Sequence, residues 1–451
     1  MPNVVLISAD DLGSTEITAD TMPNLYRLAK EGRSFTRFYA YPVCSPSRAA
    51  LMTGRNPLEF GYTSITVDHG RELDRPLAKL RPPRPAMKLP EGIPTLGELM
   101  RRKGYRTGYF GKWHLGKVEG GLRHLGYDAS ITTEGYSHIL NHVKTTPSVN
   151  APETIRRDHF INDKALAFMD GDGPFYLEIH NFLPHLPLEV RHDLASQNAK
   201  PRELHRAHLR ELDELIGTVM ARVENTDTLI LFLSDNGTLE SWKGMQVASN
   251  RPLRGEKGTV FEGGIRIPFV AWWPGRIDPA SDDQLAFLSD VYLMLASLDD
   301  EGLERPLRKE VVVHFPHYHA GRPASAMITD RWKIVRDYQT GTDTMYDLVS
   351  DPGESTPTPA HLQMSARLTA ALGNASLPIA NPDYDAPLEN CEGDCEQRQD
   401  TRRNLRLLLI LALLTATAFY LRRRRAADTV RIEHSDKQSP FLFPHVTPCD
   451  R

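Results

Sequence analysis

Short apolar runs rich in Val, Ile and Leu punctuate the chain, and amphipathic stretches separate them. Residues 3–8, NVVLIS, show no polar alternation, so both faces of this run need cover, as in a buried parallel strand. TLILFLS at 228–234 has the same character. Between these runs the period changes to helical. TLGELMRRKGYRTGYF opens with Thr95 and Glu98 in capping-box spacing. It predicts a helix to about Lys103, a stop at Gly104 and a strand from Tyr105 to Phe110. RDHFINDKALAFMD predicts a helix leading into the strand PFYLEIHNF, and ELHRAHLRELDELIGTVMARV predicts a long amphipathic helix before the strand that ends at Asp235. Helix alternating with strand predicts an α/β fold over residues 1–309: a large mixed β-sheet sandwiched between helices. Past residue 310 the texture changes. AMITDRWKIVRDY and TDTMYDLVSDPGES read as antiparallel strands joined by turns, so residues 310–380 are expected to form a smaller α+β subdomain with a short antiparallel sheet.

The C-terminal part differs in kind. Residues 381–404 are polar, acidic and Pro-containing, which predicts a stalk. LLLILALLTATAFYL, Leu407 to Leu421, carries no charge and is bracketed by Arg402, Arg403 and Arg406 before it and Arg422 to Arg425 after it. A core helix rarely ends in four arginines, so residues 405–421 are read as a transmembrane helix whose snorkelling arginines extend its reach. Residues 422–451, a tail with a basic start, then face the cytoplasm, and the bulk of the chain lies outside it. MPNVVLISADD has neither the basic n-region nor the apolar h-region of a signal peptide and reads as a first strand, so the extracytoplasmic expectation rests on the other end of the chain. A net charge of -4 argues against nucleic-acid binding. Four cysteines make no disulfide framework and no zinc-type cluster; Cys391 and Cys395 are either a small-loop disulfide or free thiols.

Two acidic pairs sit where α/β sheets collect ligands, beyond the carboxyl ends of strands: Asp10 with Asp11, and Asp235 with Asn236. Either pair alone would be read as turn chemistry. Together they make an all-oxygen set suited to Ca²⁺ or Mg²⁺ and not to zinc. Cys44 opens CSPSRAALMTGR, where Pro46 favours a helix start and Gly54 a helix end. At a helix N-terminus its thiol is expected to be acidified and an anion to be welcome. Arg48, one turn on, can face the same site.

CSPSRAALMTGR resembles the signature of the type I sulfatases, formylglycine-dependent members of the alkaline phosphatase superfamily, with Cys-x-Pro-Ser-Arg followed by Leu51, Thr53, Gly54 and Arg55. GYFGKWHLG, RGEKGTVFEGGIRIP, the ADD and SDNG corners, and WKIVRDY with MYDLVSDPGE resemble further blocks of that family in the family's order, over roughly residues 2 to 355. The resemblance implies oxidation of Cys44 to formylglycine by a maturation enzyme, and Ca²⁺ in preference to Mg²⁺ held by Asp10, Asp11, Asp235, Asn236 and residue 44. It implies that one hydroxyl of the hydrated aldehyde attacks sulfur and the other then expels sulfate. Asp235 would help to deprotonate the nucleophile. Arg48 would hold the formylglycine oxygens and the ligand carboxylates, Lys112 would bind sulfate, and His114 would assist its release. His185 would meet the leaving alkoxide, and Lys257 would contact both sulfate and the leaving oxygen. His180 falls within a strand and is read as structural; Ser137 is read the same way.

The expected substrate is a sulfated small molecule or a sulfated glycan. The rivals are a formylglycine-dependent phosphonate or phosphodiester hydrolase and a non-catalytic relative that binds sulfated carbohydrate. Residues 62–94 and 118–152, where specificity should reside, match no pattern.

Overall fold

The computed structural model describes residues 1–382 except 66–77, 119, 153, 300–301 and 304–306, together with residue 384. The stalk beyond residue 384, the apolar segment Leu407 to Leu421, the tail, and Cys391 and Cys395 lie outside the described residues. Among the described residues no helix is long and apolar enough to cross a membrane.

The elements follow in chain order: β1 (Asn3–Asp10), α1 (Pro23–Glu31), β2 (Arg33–Tyr39), α2 (Cys44–Thr53), β3 (Leu80–Arg81), α3 (Leu96–Arg102), β4 (Arg106–Lys112), β5 (Ala129–Glu134), β6 (Lys144–Thr146), α4 (Arg157–Phe168), β7 (Phe175–Pro184), α5 (Pro201–Val223), β8 (Thr228–Ser234), β9 (Ser241–Trp242), β10 (Met245–Gln246), α6 (Glu262–Ile265), β11 (Arg266–Trp272), β12 (Ala280–Asp282), β13 (Ala286–Phe287) and α7 (Asp290–Ser297). Ten of these strands form one mixed sheet in the order β12-β2-β11-β8-β1-β7-β4-β5-β6, with β13 beside β2. The centre is parallel: β1 pairs with β7 and β8, and β4 pairs with β7 and β5. Towards one edge β11 runs antiparallel to both β8 and β2.

The apolar run of β1 explains the sandwich. Val4 and Leu6 point to one face, where Ala49 and Met52 of α2, Met100 of α3 and Val291 of α7 cover them. Val5 and Ile7 point to the other, against Leu25 and Leu28 of α1, Ile161 of α4 and Leu212 and Ile216 of α5. A strand buried on both faces has no place for a polar residue until it emerges at the sheet's edge, and there the run ends in Asp10 and Asp11.

Local signals held where they were chemical. Thr95 and Glu98 form the capping box of α3, and Gly54 ends α2 in the left-handed region, at φ 67°. The strand expected over Tyr105 to Phe110 runs instead from Arg106 to Lys112. Tyr105 donates its N–H to Met100 O, 3.1 Å, and so still belongs to the helix terminus. The shift makes Lys112 the last strand residue. Gly111 permits it: at φ +123°, a Cβ there would lie 1.9 Å from the His180 carbonyl oxygen on β7.

The C-terminal strands β14 (Glu310–Phe315), β15 (Ala324–Thr329), β16 (Trp332–Asp337), β17 (Thr342–Asp347) and β18 (Thr358–Pro359) form an antiparallel sheet in that order. One face takes α8 (Leu362–Leu372) through Leu368 and Leu372. The other packs Val313, Phe315 and Val335 against Tyr41, Val43, Val260 and Ile265, beside the start of α2. A short pair, β3 with β19 (Ile379–Ala380), completes the described strands. Within that second layer Lys333 is fully buried between two carboxylates, with Nζ 3.0 Å from Glu262 Oε1 and 2.8 Å from Glu354 Oε1. Glu354 also accepts the Glu262 N–H at 2.7 Å, at the start of α6.

Removing one partner from a buried charge cluster leaves the others uncompensated. Lys333→Ala is therefore expected to lower unfolding stability by about 3–5 kcal/mol in urea denaturation. A loss below about 1 kcal/mol would show that Glu262 and Glu354 do not need the ammonium.

Candidate active site

The parallel centre of the sheet delivers four chain segments to one rim. β1 ends at Asp10, β8 is followed by Asp235 and Asn236, β4 ends at Lys112, and β7 is followed by His185. The N-terminus of α2 brings Cys44, and the loop before α6 brings Lys257. β1 slips its register against β7 between Ser8 and Asp10, and Asp11 adopts φ 69°. A non-glycine residue in that region carries backbone strain, of a kind that concentrates at functional sites. The next corner is equally constrained: a Cβ on Gly237 would lie 1.8 Å from Gly263 O, so the SDNG turn touches the EGG turn backbone to backbone.

Donor atoms of Asp10, Asp11, Cys44 and His185 all lie within 4.8 Å of one another. Each buried carboxylate has a cationic partner. Lys112 Nζ closes directly on Asp10 Oδ2. Lys257 Nζ sits 2.7 Å from Asp11 Oδ1 and 2.8 Å from Oδ2. Arg48 donates Nε to Asp235 Oδ2 at 2.9 Å and Nη1 to the Lys112 carbonyl at 3.0 Å. Asp235 Oδ1 accepts the Asp11 N–H at 3.2 Å, and Asn236 Nδ2 donates to Asp11 Oδ1 at 2.8 Å. The four oxygen-bearing residues thus meet.

Burial pushes the Asp10 carboxyl up, but Lys112, His185, Arg48 and Lys257 outweigh it and hold it well below the usual range. Asp11 follows the same pattern, with Lys257 as its main cation. Asp235 goes the other way, to about 7, because burial and the Asp10 charge exceed the pull of Arg48. Lys257 is desolvated too, yet Asp11 raises it well above its ordinary value. His185 is lowered to about 4 by burial and by Lys257. Its Nδ1 lies 2.6 Å from the Leu186 carbonyl, which assigns the proton to Nδ1 and leaves Nε2 as a bare acceptor. Nε2 stands 3.6 Å from Asp11 Oδ2, acceptor facing acceptor.

The donor set passes a test for a hard cation. Asp10 Oδ1 and Asn236 Oδ1 are buried acceptors without a hydrogen-bond partner. Unpartnered buried oxygens are costly, and an oxygen-seeking divalent ion satisfies them.

One electrostatic expectation is overturned. Cys44 does open a helix, but its thiol is raised to about 12 and is not acidified. Burial dominates, and the Asp10 and Asp235 carboxylates oppose the help from Lys112 and Lys257. The helix terminus is too weak a charge to win in that setting. As a plain thiol, residue 44 is a poor nucleophile.

The sulfatase family profile matches residues 2–298. The chain belongs to the sulfatase family. It is 31% identical to human arylsulfatase A over 341 residues, which covers 66% of this chain and 64% of that one. It is 31% identical to mouse N-acetylgalactosamine-6-sulfatase over 345 residues, 68% of this chain and 63% of that relative. The chain therefore spans less than two thirds of the length of these relatives. Among solved structures, Ps i-CgsB in complex with k-i-k-neocarrahexaose shares the fold at a TM-score of 0.67 and 22% identity, covering 86% of this chain and 95% of that one.

In this sulfatase-family chain, the residues expected from sequence gather at one rim. At His114, φ 56° turns the chain out of line with β4, and its Nδ1 lies 3.3 Å from Ser45 Oγ. The Ser137 hydroxyl donates to Glu189 Oε2 at 2.8 Å. His180 does more than fill the core. Its Nδ1 lies 2.6 Å from Ser8 Oγ and 3.3 Å from Arg48 Nη1, and its Nε2 lies 2.7 Å from Glu178 Oε2. It thereby links β1 and β7 to the Arg48 guanidinium. The alternation of Glu178 and His180 on one face of β7 was the available signal.

A divalent ion that binds only the folded chain stabilises it by about 2.7 kcal/mol at a hundredfold excess over Kd. Ca²⁺ added to chelated protein is thus expected to raise the melting temperature by several degrees, and Asp11→Ala to abolish the rise. An unchanged melting temperature would remove the metal from this site.

Proposed function

We propose that the chain hydrolyses sulfate monoesters. The observation that carries this reading is the buried cluster of three carboxylates, three cations and Cys44, with two acceptor oxygens left over. The three pairs are balanced in charge, so a divalent ion makes the cluster net cationic and favourable to an anionic ester. Oxidised to formylglycine, residue 44 supplies an oxygen nucleophile, and an ion held by Asp10, Asp11, Asp235 and Asn236, Ca²⁺ by the donor set, supplies charge neutralisation beside it.

The chain's own residues divide the remaining work. Arg48 is anchored on Asp235 and the Lys112 carbonyl, so it orients the base and the sulfate-binding strand end together. Asp235, held by Arg48 and by the Asp11 N–H, would help to take the proton from the nucleophile. Lys112 and Lys257 keep their protons in the buried site and bind sulfate as fixed charges. His114, lowered well below its ordinary value by burial and then by Lys112, is neutral and can take a proton as sulfate leaves. The charge on the leaving oxygen falls to Lys257. His185 is held neutral with its proton committed to Leu186 O, and it contributes a lone pair on that side.

The substrate is read as a sulfated small molecule or sulfated glycan, and the modification as the work of a formylglycine-generating enzyme. An extracytoplasmic location with a C-terminal membrane anchor belongs to the same reading, supported by the sequence of Leu407 to Leu421.

Co-expression with a maturation enzyme is expected to convert the Cys44 peptide to the aldehyde by intact-mass analysis. The matured chain is then expected to turn over sulfate esters in preference to phosphodiesters, and Cys44→Ala to lower kcat by about a thousandfold or more. A thiol that persists under maturation would favour the binding-only relative, and faster phosphodiester turnover would favour the rival hydrolase.

A further inference from the structure

Tyr136 is half exposed, at 50%, yet its neighbours are locked in place. Gly135 O accepts from Arg157 Nη1 at 3.0 Å. Glu189 Oε2 accepts both the Ser137 hydroxyl and the His138 N–H, each at 2.8 Å. His138 Nε2 lies 2.9 Å from the His185 carbonyl and donates to it. Ser137 and His138 are buried, at 5% and 1%. The loop that carries Tyr136 is thereby tied to the turn that carries His185. The two rings stand 5.8 Å apart between centroids, tilted by 36°. The ring therefore stands beside His185 at the rim of the cluster, and partial burial raises its hydroxyl. The buried Arg157 and His138 and the half-buried Glu189 thus fix the backbone on both sides of Tyr136, while its ring stays open.

We infer that Tyr136 is the aromatic wall of the leaving-group subsite, packing its face against the flat side of a six-membered ring esterified by the sulfate. The inference rests on the sulfate-ester reading and deepens it: the favoured alcohol is a pyranose or an arene, not an open chain. A pyranose turns the axial C–H groups of its flat side to the negative π surface, an arene stacks on it offset, and such contacts are worth more when the face is preorganised. An open-chain alcohol presents no matching face. The segment from residue 118 to 152 matched no pattern because one exposed tyrosine carries no spacing signal.

The test uses the full chain in its unmodified Cys44 form, loaded with Ca²⁺, which binds esters without consuming them. Calorimetry would compare a methyl glycoside sulfate, phenyl sulfate, ethyl sulfate and inorganic sulfate against the parent, Tyr136→Ala and Tyr136→Phe. Tyr136→Ala is expected to weaken one or both ring esters by about tenfold. Ethyl sulfate and inorganic sulfate are expected to bind as before, and Tyr136→Phe to retain ring binding. Whether the glycoside or the phenyl ester loses more identifies the ring. Equal weakening of all four ligands would overturn the inference, because the ring would then only prop the His185 turn. No weakening of either ring ester would overturn it as well. Failure of the parent to bind inorganic sulfate would overturn the sulfate-ester reading itself, and this inference with it.

Discussion

Mutual neutralisation of Asp10, Asp11 and Asp235 by Lys112, Lys257 and Arg48 is the constraint on which the rest of the site depends. Taking a charge out of water costs several kcal/mol even after relaxation. Six such charges are affordable together only because each stands within reach of an opposite one, and each pair joins different segments: β1 to β4, β1 to the loop before α6, and α2 to the turn after β8. The sheet brings these segments to one rim, and the pairs then fix how they stand relative to one another. Misplacing any strand end would strand a charge, so the fold and the site specify each other.

That arrangement also decides the chemistry of residue 44. A cysteine buried this deeply holds its proton despite Lys112 and Lys257 nearby, whatever the helix behind it contributes. The cluster is built for oxygen: hard acceptors, strongly charged donors and no soft partner for sulfur beyond the thiol itself. His180 extends the same logic a layer inward, where a Glu178–His180–Ser8 chain keeps the Arg48 guanidinium from swinging away from Asp235.

Much of this was legible in the amino-acid order. Apolar runs that end in Asp marked the strands and the rim together, because a doubly buried strand can turn polar only where it emerges. Thr95 with Glu98, and Gly54, marked helix ends through local chemistry that no tertiary contact overrode. What escaped was whatever depends on residues far apart meeting. Lys333 with Glu262 and Glu354 leaves no spacing to read, and the Glu178–His180 alternation on β7 does not say that Arg48 lies beside it. Lys112 was seen as a cation, but its place at the end of β4 depended on where Tyr105 sends one hydrogen bond. The thiol of Cys44 was misjudged because a helix terminus is visible in sequence and the depth to which the thiol is buried is not.

The ammonium of Lys333 belongs to the antiparallel sheet, whereas Glu262 belongs to the loop system that presents Lys257. A fragment cut before β14, near residue 310, would keep every residue of the rim and still lose the counter-ion beneath one of its loops. The second layer therefore serves as the foundation of a wall it never touches from inside.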